Sequence, residues 1–129
     1  METEVKPDAV VEVADPVSGR TLTARVVTVG SDTVVVVSGG DRPHVGCAVL
    51  AVPAPGRSAP TVSLLTVPQH KEEPIARSVA EAVCRRRGTV TVATAGVHEE
   101  GVDREGIEIY LRLGGELAEA VARRVAETK

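Results

Sequence analysis

Through the first half of the chain apolar and polar residues alternate with a period of two, the signature of strands with one face turned to a core. A short run from Ala9 to Ala14 ends at Asp15-Pro16 and Ser18-Gly19. Thr21 to Val29 then alternates small apolar and polar side chains until Gly30-Ser31-Asp32 turns the chain. Thr33 to Val37 is a block of four valines, and Val45 to Val52 is almost wholly apolar. Such runs predict interior strands covered on both faces. Between them, Ser38-Gly39-Gly40-Asp41-Arg42-Pro43 carries enough breakers to predict an irregular loop. Pro53 to Pro60 predicts another, before the strand-like Thr61 to Val67.

The period then changes. From Pro74, residues Ile75, Val79, Ala82 and Val83 recur at helical spacing, and proline is tolerated in a first helical turn because its missing N–H would have no partner there. Glu72 and Glu73 at the start and Arg85 to Arg87 at the end complement the helix dipole, and Gly88 stops the helix. Thr89 to Ala95 alternates again. With Asp103 as N-cap, Ile107, Tyr110, Leu111, Gly114, Leu117, Val121 and Val125 trace one face of a long second helix. Gly114-Gly115 inside it predicts a bend or a point of close packing. The expected order is five strands, helix, strand, helix: an α+β fold, one domain over residues 1–129, with 1–7 expected to be disordered.

Composition narrows the function. The net charge is −3 and Tyr110 is the single aromatic residue, so the basic footprint and stacking platforms of nucleic-acid binders are missing. The longest apolar run is too short to cross a bilayer, and Met1 to Asp8 carries no apolar targeting segment. Cys47 and Cys84 have neither metal-like nor redox-like spacing and read as reduced core thiols of a cytoplasmic protein. An edge strand without a protective lysine, such as Thr21–Val29 or Thr33–Val37, invites pairing with a second copy, which predicts a homodimer.

All three histidines fall at strand ends. His44 precedes the strand starting at Val45, and His70 follows the one ending at Val67. If those strands form an antiparallel hairpin, both histidines lie at one sheet edge. A right-handed crossover from Thr61–Val67 through the helix to Thr89–Ala95 brings His98 to the same edge. Three imidazoles suit a divalent transition metal, with Glu99, Glu100 or Asp103 supplying a carboxylate; loop histidines that hydrogen-bond locally are the plainer alternative. Lys71, before the first helix, and Arg42, in the glycine-rich loop, are candidate anion contacts, although Glu72 and Glu73 oppose an anion at that helix and the loop also reads as a simple turn.

The segments Gly39-Gly40-Asp41-Arg42-Pro43-His44-Val45-Gly46, Pro68-Gln69-His70-Lys71-Glu72-Glu73 and Ala95-Gly96-Val97-His98, in this order, resemble the LpdD-like prenylated-flavin chaperones associated with UbiD-type decarboxylases. The resemblance implies a mainly antiparallel sheet of about six strands with two helices, similar to proteasome-assembly-chaperone-like domains, and a homodimer. It also implies a non-catalytic role in binding prenylated FMN and delivering it to an aromatic-acid decarboxylase. On that reading Arg42, His44, His70, Lys71 and His98 contact the cofactor, and His44, His70 and His98 hold any metal. A small metal-dependent enzyme using a histidine-bound water, with Glu99 or Glu100 as base, and a surface-acting assembly subunit of a decarboxylase are the alternatives.

Overall fold

A computed structural model describes residues 6–68 and 71–127. The elements follow the expected order: β1 (Ala9–Ala14), β2 (Thr21–Val29), β3 (Asp32–Gly40), β4 (Cys47–Val52), β5 (Thr61–Thr66), α1 (Glu73–Arg87), β6 (Thr91–His98) and α2 (Arg104–Glu127). Residues 1–5, most of the segment expected to be disordered, lie outside the described residues, as do Gln69 and His70.

The six strands form one mixed sheet in the order β1-β2-β3-β6-β4-β5. Hairpins join β1 to β2, β2 to β3 and β4 to β5. The crossover through α1 returns β6 parallel to β3 and antiparallel to β4, between the two hairpin sections. Thr21–Val29 and Thr33–Val37, expected as edge strands, are therefore interior, and β1 and β5 form the edges. A strand's position in the order is set by β6, which arrives from far along the chain and pairs with β3.

Both helices pack on one face of the sheet, α1 over β4 and β6 and α2 over β1 and β2, and they pack on each other. Side chains from adjacent strands line up beneath them in register, as in the rows Ala24, Val37, Ala95, Cys47 and Val26, Val35, Ala93, Val49, all buried. Small residues in the middle of the sheet let the helices approach. Gly114 of α2 meets Ile75 of α1 so closely that a Cβ there would lie 2.9 Å from Ile75 Cγ1, the close packing expected of the glycine pair.

The expectation that β3 and β4 are covered on both faces is met on one face only. Val36 and Leu50, on the side away from the helices, are 37% and 38% exposed. Cys47 and Cys84 are buried free thiols. Among the described residues no helix is long and apolar enough to cross a membrane. Asp103 caps α2 by accepting a 2.9 Å hydrogen bond from the Gly106 N–H, so the N-cap read from the sequence is present. At the end of α1, Gly88 takes the left-handed conformation (φ 67°) that terminates the helix.

Candidate functional site

The ends of β3 and β6 and the start of β4 share one sheet edge, as the strand directions require. The chain between β3 and β4 is held to this edge by backbone bonds: the Asp41 N–H donates to the His98 carbonyl (2.5 Å) and the Gly46 N–H to the Ala95 carbonyl (2.8 Å). Further across, the Glu100 N–H donates to Asp41 Oδ2 (2.8 Å). Two glycines make the approach possible. A Cβ on Gly96 would land on the His44 carbonyl, and one on Gly46 would lie 2.7 Å from the Glu72 carboxylate.

His44 and His98 thus come to one edge, as expected; His70 lies outside the described residues. The ring of His44 is half-buried, with Nε2 donating to Glu72 Oε2 at 2.8 Å and Nδ1 3.0 Å from the Arg42 carbonyl. Glu72 is buried, and its Oε2 also accepts from the Val97 N–H (3.1 Å). Glu72 stands at the start of α1 as expected, but as N-cap residue its carboxylate turns inward onto β6 and His44. An acidic residue before a helix carries no local mark of such burial, which depends on space left by a distant glycine. His98 Nε2 lies 3.3 Å from Glu100 Oε2, and the Arg42 guanidinium is 3.5 Å from the same oxygen, all at the surface.

Beside this pair opens a cleft of about 430 Å³, within the range of small-molecule sites. Its polar rim is His44, Lys71, Glu72, His98 and Glu99, and its apolar wall comes from Ile75 of α1, Val97 of β6 and Val102, Ile107 and Leu111 around the start of α2. A shallower recess on the other side of His44 and His98 is lined by Asp41, Arg42 and Pro43. Arg42 and Lys71 therefore face different openings, separated by the two imidazoles.

Tyr110, the single aromatic residue, stands in the cleft wall and donates its hydroxyl to Glu99 Oε1 at 2.7 Å. Glu99 also takes a two-point contact from Arg20 at 2.9 and 3.0 Å, and the guanidinium sits 5.9 Å from the centre of the Tyr110 ring. The Arg20 hydrogen bonds, followed by that of Tyr110, hold the Glu99 carboxyl below its ordinary range. Burial, reinforced by Glu99, pushes the Tyr110 hydroxyl up to about 12. Glu99 is engaged as the joint between β2, β6 and α2. Neither Arg20 nor Tyr110 was singled out for the site from the sequence, because Arg20 lies in a turn far from all three histidines.

Among the described residues no group of three or more His, Cys, Asp or Glu side chains is placed to hold an ion, and the third histidine of the expected metal site, His70, lies outside them. Asp103, offered as a carboxylate ligand, is occupied as the α2 cap.

Comparison with known proteins finds a family and similar solved structures. A family model described as the prenylated flavin chaperone LpdD-like domain matches residues 17–126. A chain from the crystal structure of a chaperone complex for yeast 20S proteasome assembly is similar at 16% identity, over 88% of this chain and 98% of that one, with a TM-score of 0.49. No curated protein matches the sequence.

Proposed function

Since the chain belongs to the prenylated flavin chaperone LpdD-like family, we propose that it binds prenylated FMN in the cleft beside His44 and Glu72 and passes it to a UbiD-type aromatic-acid decarboxylase. The observation that carries this reading is the cleft itself: one apolar wall of aliphatic side chains, and opposite it a buried acceptor and an imidazole. An extended ring system bearing a prenyl group has an apolar body, and polar atoms along one edge. Aliphatic side chains and peptide planes take the place of stacking aromatics, with Tyr110 the exception.

The phosphate remains at the mouth, where Lys71 and Arg42 are exposed on either side of the imidazoles. The Glu72 carboxyl group occupies the start of α1, so the helix terminus is not the phosphate seat; the exposed cations beside the imidazoles are. His98 lines both openings and is placed to contact the cofactor between them, and His70, beside Lys71 in the sequence, is proposed as a further contact. No transition metal enters this reading, because both ring nitrogens of His44 are already turned toward oxygen acceptors. Of the two bases offered for the enzyme alternative, Glu99 is engaged by Arg20 and Tyr110, and Glu100 stands at the surface beside His98 and Arg42. We further propose that the protein acts in the cytoplasm as a homodimer.

Mixing the purified protein with prenylated FMN and following flavin absorbance through gel filtration tests the reading. Co-elution supports it, with affinity lower for the dephosphorylated form and about tenfold lower after Lys71→Glu or Arg42→Glu, the effect of placing a like charge beside the phosphate. Absence of flavin from the protein peak overturns it.

A further inference from the structure

The end of the molecule away from the cleft carries arginines without acidic partners. Toward the cleft end, Arg20, Arg42, Arg77 and Arg112 each stand within ion-pair distance of a carboxylate. At the other end lie Arg57 in the loop between β4 and β5, Arg85 and Arg86 in the last turn of α1, and Arg123 and Arg124 near the end of α2. Among the described residues none of these five pairs with a carboxylate. Two of them converge. Between the β4–β5 loop and the end of α1 opens a recess of about 240 Å³, with Arg57, Ser58 and Arg85 as polar lining and an apolar wall that includes Pro53, Ala59 and Pro60. Among the described residues no carboxylate lines it. The loop is stiffened by Pro53, Pro55 and Pro60, turns at Gly56 (φ 75°), and is closed by a 3.0 Å hydrogen bond from the Arg57 N–H to the Ala54 carbonyl.

We propose that this recess binds a small phosphate monoester, with the phosphate between the Arg57 and Arg85 guanidinium groups and the organic body against the proline and alanine wall. Such a phosphate carries nearly two negative charges at neutral pH, which two guanidinium groups match, and each guanidinium presents paired N–H donors to its oxygens. A carboxylate carries one charge and leaves the second arginine uncompensated. The negative end of the α1 dipole opposes an anion here. It amounts to about half a charge against two full ones, and the Gly88 N–H already covers the Cys84 carbonyl at 2.8 Å. The recess is smaller than the sites that hold drug-sized ligands, so a flavin nucleotide does not fit it and the site is separate from the cleft.

The test is equilibrium dialysis of the full chain against phenyl phosphate at neutral pH, with benzoate and inorganic phosphate alongside. Phenyl phosphate is expected to bind about tenfold more tightly than benzoate, through its second charge, and more tightly than inorganic phosphate, which has no body for the wall. Arg57→Gln and Arg85→Gln are each expected to weaken it about tenfold, whereas Arg86→Gln, in the same helical turn but outside the recess, changes it by less than about twofold. All three arginines are exposed, so glutamine is compatible with the fold, and circular dichroism checks it. As a readout that leaves the arginines in place, saturating phenyl phosphate is expected to slow maleimide labelling of Ala59→Cys about tenfold and to leave that of Val17→Cys unchanged. No uptake of phenyl phosphate, benzoate held as tightly, an equal loss in Arg86→Gln, or an unprotected Ala59→Cys overturns the proposal. Flavin co-elution is expected to be unchanged in Arg57→Gln; its loss would merge the recess with the cleft and overturn the separate site.

Discussion

At the edge where β3 and β6 begin, Gly30, Gly56 and Gly88 have φ of 60°, 75° and 67°, and a Cβ on any of them would meet nothing within 4 Å. At the edge where the same strands end, Gly46 and Gly96 are not among the positive-φ glycines, yet a Cβ on either would run into Glu72 or His44. The first edge uses glycine only to turn the chain; the second, besides turn glycines such as Gly40 (φ 78°), also uses it to make room. Turn glycines can be lost at a modest cost in backbone strain. Room glycines hold a carboxylate and an imidazole in place, and the cleft exists only at their edge.

The sharpest break in this contrast is Gly96→Ala. The new methyl cannot coexist with the His44 carbonyl, so a destabilisation of about 3 kcal/mol or more is expected, together with loss of flavin binding. Denaturant titration and flavin co-elution measure the two effects, and a near-neutral variant would mean that the Asp41–Gly46 segment is not held against β6. Next in size is Glu72→Gln, which keeps an acceptor for the Val97 N–H and removes the charge that His44 faces. A loss of about 2 kcal/mol is expected, as for a hydrogen bond to a charged group. Gly56→Ala, at the other edge, should cost only about 1 kcal/mol, the penalty of a left-handed residue with a Cβ, and should leave binding unchanged. If it costs as much as Gly96→Ala, the distinction between the edges fails.

The smallest effect concerns acid. Asp15, lowered from 3.8 to about 2 chiefly by hydrogen bonds from Ser18, and Glu99, lowered from 4.5 chiefly by Arg20, bind protons less readily in the folded protein than in the unfolded chain. Between about pH 4.5 and 2 the unfolded chain takes up more protons, so stability falls as pH falls through this window. Arg20→Met removes the main cause at Glu99, and its acid limb should be shallower than that of the unsubstituted chain in unfolding curves recorded from pH 6 downward. Parallel limbs would show that Glu99 does not draw on Arg20.

The element order was legible because alternation, helical spacing and turn residues are local signals, and here they agree with the tertiary structure. Convergence of His44 and His98 could also be derived, since a hairpin and a right-handed crossover fix strand directions without any knowledge of side chains. Glu72 could not, because its burial depends on Gly46 and on the Val97 N–H, neither of them its neighbour in the chain. The same limit hid Arg20 and Tyr110, which meet at Glu99 from opposite ends of the sequence. The valine block in β3 signalled two buried faces where the protomer covers one, because nothing in the block distinguishes a face under a second layer from a face left open.

One consequence of the β6 position concerns the order of assembly. The two hairpin-connected sections, β1 to β3 and β4 with β5, are built from contacts between chain neighbours, whereas β6 must close a long loop before its first pair with β3 can form. Most of the contacts described above that build the cleft, the His44–Glu72 pair excepted, pass through β6 or the residues just after it. During refolding, competence to bind flavin should therefore arise with the docking of this strand and not with the early hairpins. Added cofactor should slow unfolding while leaving the first refolding events at their own rate.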